Sequence, residues 1–234
     1  MRMPKNAVTP QGLSRIEELC SNFEYYLEKF DEYKPFTGPS VYFHSKTIER
    51  LRALGVSNAL KDKLFFEYLY ATLASWGMHR MGPKGAKLVD FANFVRTLQA
   101  QKDTIISLEG VRLTQIYENQ LENVINKLWK TLSKVKISTS KTQLIAGSKT
   151  LHHLLPDLVP PIDRQHTLNF VYGYIPRRLG KQEFKKVYQC LWKIGVKKKN
   201  LILTWIGKEF HTSETKVIDN AIIGYIKTKQ KREV

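Results

Sequence analysis

The chain has 234 residues, 42% hydrophobic and 25% charged, which suits one domain or two small lobes sharing a core and excludes a disordered chain. Lys and Arg number 38 against 21 Asp and Glu, a formal net charge of +17, and such an excess points to a polyanionic partner, nucleic acid before membrane. Two cysteines, Cys20 and Cys190, exclude a disulfide framework, a four-cysteine zinc site and an iron–sulfur cluster, and no stretch approaches the roughly 18 unbroken apolar residues of a spanning helix.

The pattern reads as nearly all helix. Thr9-Pro10 is a start signal, and Leu13, Ile16, Cys20, Phe23, Leu27 and Phe30 follow at three- and four-residue steps as one buried face. Residues 34–39, rich in proline and glycine, break that helix. A short helix is expected over 47–54, ending at Gly55, and Asn58 is expected to cap the next, with Leu60, Leu64, Phe65, Leu69 and Leu73 inside. Residues 76–83 read as a loop of glycines and large side chains. Helices are expected over 85–98 and 113–132, then a basic Ser/Thr segment over 134–141. Further helices are expected over 163–172, 181–194, 200–210 and 213–227, with a basic tail after them. Residues 41–43 and 201–205 are the strand candidates.

The chemistry concentrates in residues 147–167. Gly147-Ser148-Lys149-Thr150 reads as a turn opening a short helix, and Pro160-Pro161-Ile162-Asp163 as a loop ended by a capping aspartate. Proline bars helix before Asp163, and the residues after it can be helical. A carboxylate at that position meets the positive end of the helix dipole and stays ionised, so it either only caps or also stabilises positive charge in a cleft. Lys149, in a turn rich in backbone N–H groups, either neutralises a phosphate or, desolvated, loses its proton and attacks carbon as an amine.

Ile145-Ala146-Gly147-Ser148-Lys149-Thr150, followed by Asp163 after a proline-containing loop, resembles the signature of the helix-hairpin-helix DNA glycosylase superfamily, which includes the endonuclease III type. Residues 69–80, Leu69 to Arg80, are similar to the helix and loop with which that family fills the gap left by a flipped base. The resemblance covers roughly residues 58–172. It implies an all-α fold of two lobes: a lobe with a wedge-like loop over about 58–135, the hairpin and Asp-bearing helix over about 136–195, and flanking helices in 1–57 and 196–234. It implies base excision on damaged or mismatched duplex DNA, possible strand cleavage as an AP lyase, and no cofactor or metal. By resemblance Gly147 is the hairpin glycine, Lys149 the lyase lysine and Asp163 the catalytic aspartate. Ser148, Thr150, Lys141, Arg164, Arg177 and Arg178 would meet the DNA backbone, and Trp76, Met78, His79 and Arg80 would form the wedge or pocket. The chain has one glycine where the family usually has two flanking one residue. The alternative is a non-catalytic nucleic-acid-binding protein on the same scaffold, and a third reading is a basic protein-interaction module in which Asp163 only caps.

Other residues carry weaker signals. His152 and His153 are adjacent on a helix and point in different directions, a poor metal pair. Tyr172–Arg178 mixes aromatics and arginines in a loop, Lys197-Lys198-Lys199 is a basic run, and Asp219 and Asn220 read as a polar pair in the last helix. The polar residues 1–10 do not resemble a signal peptide. An intracellular, cytoplasmic location is expected, with the nucleoid or a nucleus as the site of action.

Overall fold

A computed structural model of the protein describes residues 10–78 and 87–232. Among them eleven α-helices form an all-α fold, and the β pairing there is an isolated bridge between Leu88 and Ser138. The single first helix expected from the apolar steps is two: α1 (Pro10–Ser21) and α2 (Phe23–Tyr33), separated at Asn22 where φ −122 and ψ 35 leave the helical region. Ile16, Cys20, Phe23, Leu27 and Phe30 are buried across the break, whereas Leu13 is exposed.

α3 (Pro39–Ala59) begins with proline in its first turn, a place where the missing N–H costs nothing. It is longer than the helix expected over 47–54 and absorbs the strand candidate at 41–43, because His44, Thr47, Ile48 and Leu51 extend one buried face backward. It bends at Gly55, where φ is 71. Asn58 lies inside α3 and caps nothing. The cap of α4 (Lys63–Leu73) is Asp62, whose carboxylate accepts the Phe65 N–H at 2.6 Å and is gripped by Arg50 at 2.8 and 2.6 Å. A π-helical turn, Ala74–Met78, continues α4. His79, Arg80 and residues 81–86 lie outside the described residues, as does Thr9.

α5 (Phe91–Gln99), α6 (Lys102–Ile106), a 3-10 turn at Leu113–Gln115 and α7 (Glu118–Lys134) lead to α8 (Leu144–His152). A second π-helical turn, Arg164–Leu168, opens α9 (Asn169–Tyr172). The helices expected over 181–194 and 200–210 are one, α10 (Lys181–Trp205), bent at Lys198, and the strand candidate 201–205 is its last turn.

The last helix, α11 (Glu214–Arg232), is the axis of the fold: residues 214–226 are all buried. Contact on every side requires a small residue at the closest approach. A Cβ on Gly224 would overlap the Tyr26 carbonyl of α2. Beside it Tyr26 and Tyr225 meet edge to face at 5.1 Å, and the Tyr225 hydroxyl donates to Glu18 at 3.0 Å. The N-terminus of α11 is fixed through Glu214, which accepts from Arg112 Nε at 2.6 Å and the Thr114 N–H at 3.1 Å; its own N–H donates to Asp157 at 2.9 Å. A carboxylate in the first turn also complements the helix dipole. One apolar core runs from Ile16 to Ile226, and a smaller cluster of Phe30, Phe210 and Ile223 holds Phe36, Val41 and Trp76 against it. No helix among the described residues is long and apolar enough to cross a membrane.

Candidate active site

The two π-helical turns face a common cavity of about 360 Å³. Trp76, Gly77 and Met78 form one side, and Pro161, Asp163, Arg164, Gln165 and His166 another. α8 contributes Ile145 and Lys149, α11 contributes Lys216 and Asp219, and Phe36 comes from the link between α2 and α3. A π turn interrupts the regular helical ladder and re-aims side chains, which is why such turns recur at functional sites.

Asp163 caps the second π turn as its sequence context predicts. It has extended backbone (φ −130, ψ 170), and its carboxylate accepts the His166 N–H at 2.7 Å while its other oxygen lies 3.0 Å from the His166 ring. Burial pushes the carboxyl pKa up; the His166 contacts and the nearby Lys149 ammonium outweigh it and bring it down to about 2. Asp163 is therefore ionised over the physiological range while lining the cavity.

Lys149 has the opposite environment. Desolvation lowers its pKa, the Lys216 charge adds to the lowering, and Asp163 and Asp219 only partly offset both. It makes no ion pair within 4.0 Å among the described residues, and its Nζ lies 5.6 Å from the centre of the Trp76 ring. A lysine so placed is easier to deprotonate than an exposed one, the usual way an amine becomes a nucleophile.

Lys149 is held from behind by a chain of histidines. The His153 ring lies 2.7 Å from the Lys149 carbonyl through Nδ1 and 2.9 Å from His44 Nδ1 through Nε2; His44 Nε2 lies 2.9 Å from the Thr212 hydroxyl. A carbonyl only accepts, so His153 Nδ1 carries the proton and Nε2 accepts from His44 Nδ1–H. His44 Nε2 then accepts the Thr212 hydroxyl, and the chain has one direction, from Thr212 to Lys149. Burial keeps both rings neutral, His44 well below its ordinary pKa and His153 down to about 4. His152 is also buried and neutral, with Nδ1 against the Val159 carbonyl at 2.9 Å. Among the described residues no group of three His, Cys, Asp or Glu side chains is arranged to hold a metal.

The turn expected at Gly147 is not there. Gly147 sits inside α8, its N–H donating to the Gln143 carbonyl at 2.6 Å, and a Cβ on it would lie 2.8 Å from Leu132 Cδ2. It is glycine so that α8 can pack against α7. Ser148 and Thr150 are buried, and their hydroxyls donate to the Ile145 and Ala146 carbonyls. These three residues, expected to grip a DNA backbone, therefore have no exposed donor to offer it. The bend before α8 is made by Gln143, whose side chain accepts from the Ile137 and Ser138 N–H groups and donates to the Ser138 and Ser140 carbonyls.

The remaining basic candidates are on the surface. Arg164 is exposed and lines both the cavity and an adjoining groove of about 450 Å³ that includes Ser138, Ser140 and Thr142. Lys141 is exposed on the loop before α8, and the Thr142 hydroxyl donates to the Leu179 carbonyl at 2.9 Å, tying that loop to the one carrying exposed Arg177 and Arg178. Trp76 and Met78 are half-buried at the cavity, Trp76 with its indole N–H donating to the Ser40 carbonyl at 3.1 Å.

Sequence reasoning missed Lys216 and Phe36 and gave Asp219 a neutral partner in Asn220. Instead Lys216 Nζ pairs with Asp219 at 2.6 Å, and the Asn220 amide donates to the Phe210 carbonyl and contacts His211. The available signal was two opposite charges three residues apart, with Val217 and Ile218 between them and Ala221, Ile222 and Ile223 following. The frame is thus an all-α protein with two lysines and two aspartates around one cavity. Compared with known proteins, the chain matches no family model, no curated protein and no solved structure.

Proposed function

We propose that the protein is a base-excision enzyme, a DNA glycosylase with AP-lyase chemistry, acting on a nucleotide turned out of duplex DNA into the Lys149–Asp163 cavity. The observation that carries the reading is the pairing of a desolvated lysine, free of ion pairs among the described residues, with an ionised aspartate at one cavity. The net charge of +17 supports a polyanionic substrate, and the order of Lys149 and Asp163 supports a divergent relative of the helix-hairpin-helix glycosylases. In this reading the helices on either side of the cavity act as the two lobes, and the enzyme works where genomic DNA is, in the cytoplasm and nucleoid or in a nucleus.

The chemistry follows from the two environments. As the bond between the sugar C1′ and the base nitrogen breaks, positive charge develops on the sugar, and the Asp163 carboxylate stabilises it in a poorly hydrated site. The base leaves with the bonding electron pair and takes up a proton. Lys149, once it has given up its ammonium proton, supplies its lone pair to C1′ and loses a second proton. Ring opening gives a Schiff base, from which loss of the C2′ proton expels the 3′ phosphate. Arg164, Lys141, Arg177 and Arg178 give phosphate contacts that supply affinity without sequence preference.

Asp163→Asn keeps the cap and removes the charge. It is expected to abolish base release from a panel of lesion-bearing duplexes while retaining duplex binding. Unchanged release would remove Asp163 from the mechanism, and binding with no product on any lesion, in wild type as well, would favour a non-catalytic scaffold.

A further inference from the structure

The Lys216–Asp219 pair has no part in the steps above. A buried ion pair is often replaceable by apolar side chains without loss of stability. Here it lines a cavity. Lys216 is almost fully buried on α11, with Nζ 4.9 Å from the Phe36 ring centre, 4.7 Å from Phe210, 5.6 Å from Trp76 and 6.0 Å from Phe30. Four rings around one ammonium fix where it sits. Asp219, one helical turn on, accepts from it through Oδ2 at 2.6 Å. An ammonium has three N–H donors and a carboxylate about four acceptor sites, so a single mutual bond leaves both with capacity.

We propose that Lys216 and Asp219 read the Watson–Crick edge of a guanine-type base, making damaged guanines the substrate class of the cavity. The proposal rests on the base-excision reading and adds the identity of the base. A fixed donor beside a fixed two-oxygen acceptor complements an edge that presents a carbonyl next to two parallel N–H groups. Guanine has that edge: O6 accepts from Lys216 while N1–H and N2–H donate to the two oxygens of Asp219. A carboxylate taking two parallel N–H bonds is the stronger, more directional arrangement. Thymine and uracil place a second carbonyl where guanine has its amino group, and that oxygen would face the Asp219 carboxylate. Adenine offers one N–H group and one acceptor, and cytosine offers the carboxylate only a single amino group. Hypoxanthine keeps O6 and N1–H but lacks the amino group. Damage to the imidazole ring of guanine leaves the whole edge intact, so lesions of that kind would be admitted.

Two measurements on the full chain test this. In the first, 9-methylguanine, 9-methylhypoxanthine, 9-methyladenine, 1-methylcytosine and 1-methylthymine are titrated against the protein by calorimetry. 9-Methylguanine is expected to bind tightest, about tenfold above 9-methylhypoxanthine for one lost hydrogen bond to a charged group. Asp219→Asn, which circular dichroism would show to be folded, is expected to erase that margin. Equal or tighter binding of a pyrimidine or of 9-methyladenine, or no binding of any base, overturns the proposal. In the second, base release is followed from duplexes carrying 8-oxoguanine, hypoxanthine, uracil or 5-hydroxyuracil. Release confined to or fastest for 8-oxoguanine supports it, and release favouring uracil or hypoxanthine overturns it while leaving the excision reading intact. No release from any duplex, with guanine still preferred in the titration, overturns the excision reading and leaves the edge-reading pair.

Discussion

The histidine chain behind Lys149 makes a prediction about acid stability. His153 titrates near 4 in the fold and near 6.5 in an unfolded chain, because burial penalises its charged form. Between those pH values the unfolded chain binds the proton and the folded one does not. The contribution of His153 is therefore complete above pH 6.5 and is lost progressively as pH falls toward 4. The gap is worth about 3 kcal/mol, and His44, also held below its ordinary pKa, adds in the same direction. A physical picture accompanies the number: a proton on His153 Nε2 would face the His44 N–H donor, and the chain that ends on the Lys149 carbonyl would break. Asp163 loses its contribution in a different window, as pH falls from 3.8 toward 2. Asp219, whose pKa is raised by burial against the opposing pull of Lys216, works in the opposite sense in acid. The comparison is therefore between wild type and His153→Gln, which retains a donor and an acceptor but does not titrate. Urea unfolding at pH 7.5, 6.5, 5.5 and 4.5 is expected to show a loss in wild type that is smaller by about 3 kcal/mol in the variant. Parallel pH profiles for the two proteins would refute the buried, neutral assignment of His153.

Three other outcomes follow from the same geometry. Lys149→Met removes a desolvated cation that lacks an ion pair among the described residues, so its unfolding free energy should equal or exceed that of wild type; a fall of more than about 1 kcal/mol would mean the ammonium stabilises the fold. Gly224→Ala drives a methyl group into the Tyr26 carbonyl between α2 and α11 and should cost about 3 kcal/mol or more in denaturant titration, a loss under about 1 kcal/mol showing that the two helices are not packed that closely. Arg177→Ala combined with Arg178→Ala should weaken duplex binding and flatten the plot of log affinity against log salt by up to about 2, and an unchanged slope would take that loop out of the interface.

Asp163 was legible because its signals are local. Two prolines bar helix on one side, a helical pattern follows on the other, and the carboxylate falls where a cap belongs. The all-α class was legible for the same reason, from apolar steps of three and four. Gly147 was misread because a glycine beside Ser, Lys and Thr gives the same local signal in a turn as on a tightly packed helix face; Leu132 of α7 and Val135 just after it, which decide between them, lie far from it in sequence. α3 was read too short because Pro39 counted toward the break before it and not toward its own first turn. Lys216 was missed because a Lys and an Asp three residues apart read as surface decoration, and only the rings of Phe30, Phe36, Trp76 and Phe210, brought from three distant segments, show otherwise. The bond between His44 and His153 joins residues 109 positions apart, and no local pattern encodes it.

The central claim is that Lys149 and Asp163 act together on a sugar carbon. Borohydride reduction during incubation with a duplex carrying an abasic site tests it most directly. The expected result is a covalent protein–DNA adduct with wild type, absent with Lys149→Gln; from a lesion-bearing duplex, where the base must leave first, Asp163→Asn is also expected to give none, all three proteins remaining folded and bound to the duplex. An adduct that persists in Lys149→Gln, or none with the wild-type protein, would contradict the assignment of Lys149 as the nucleophile.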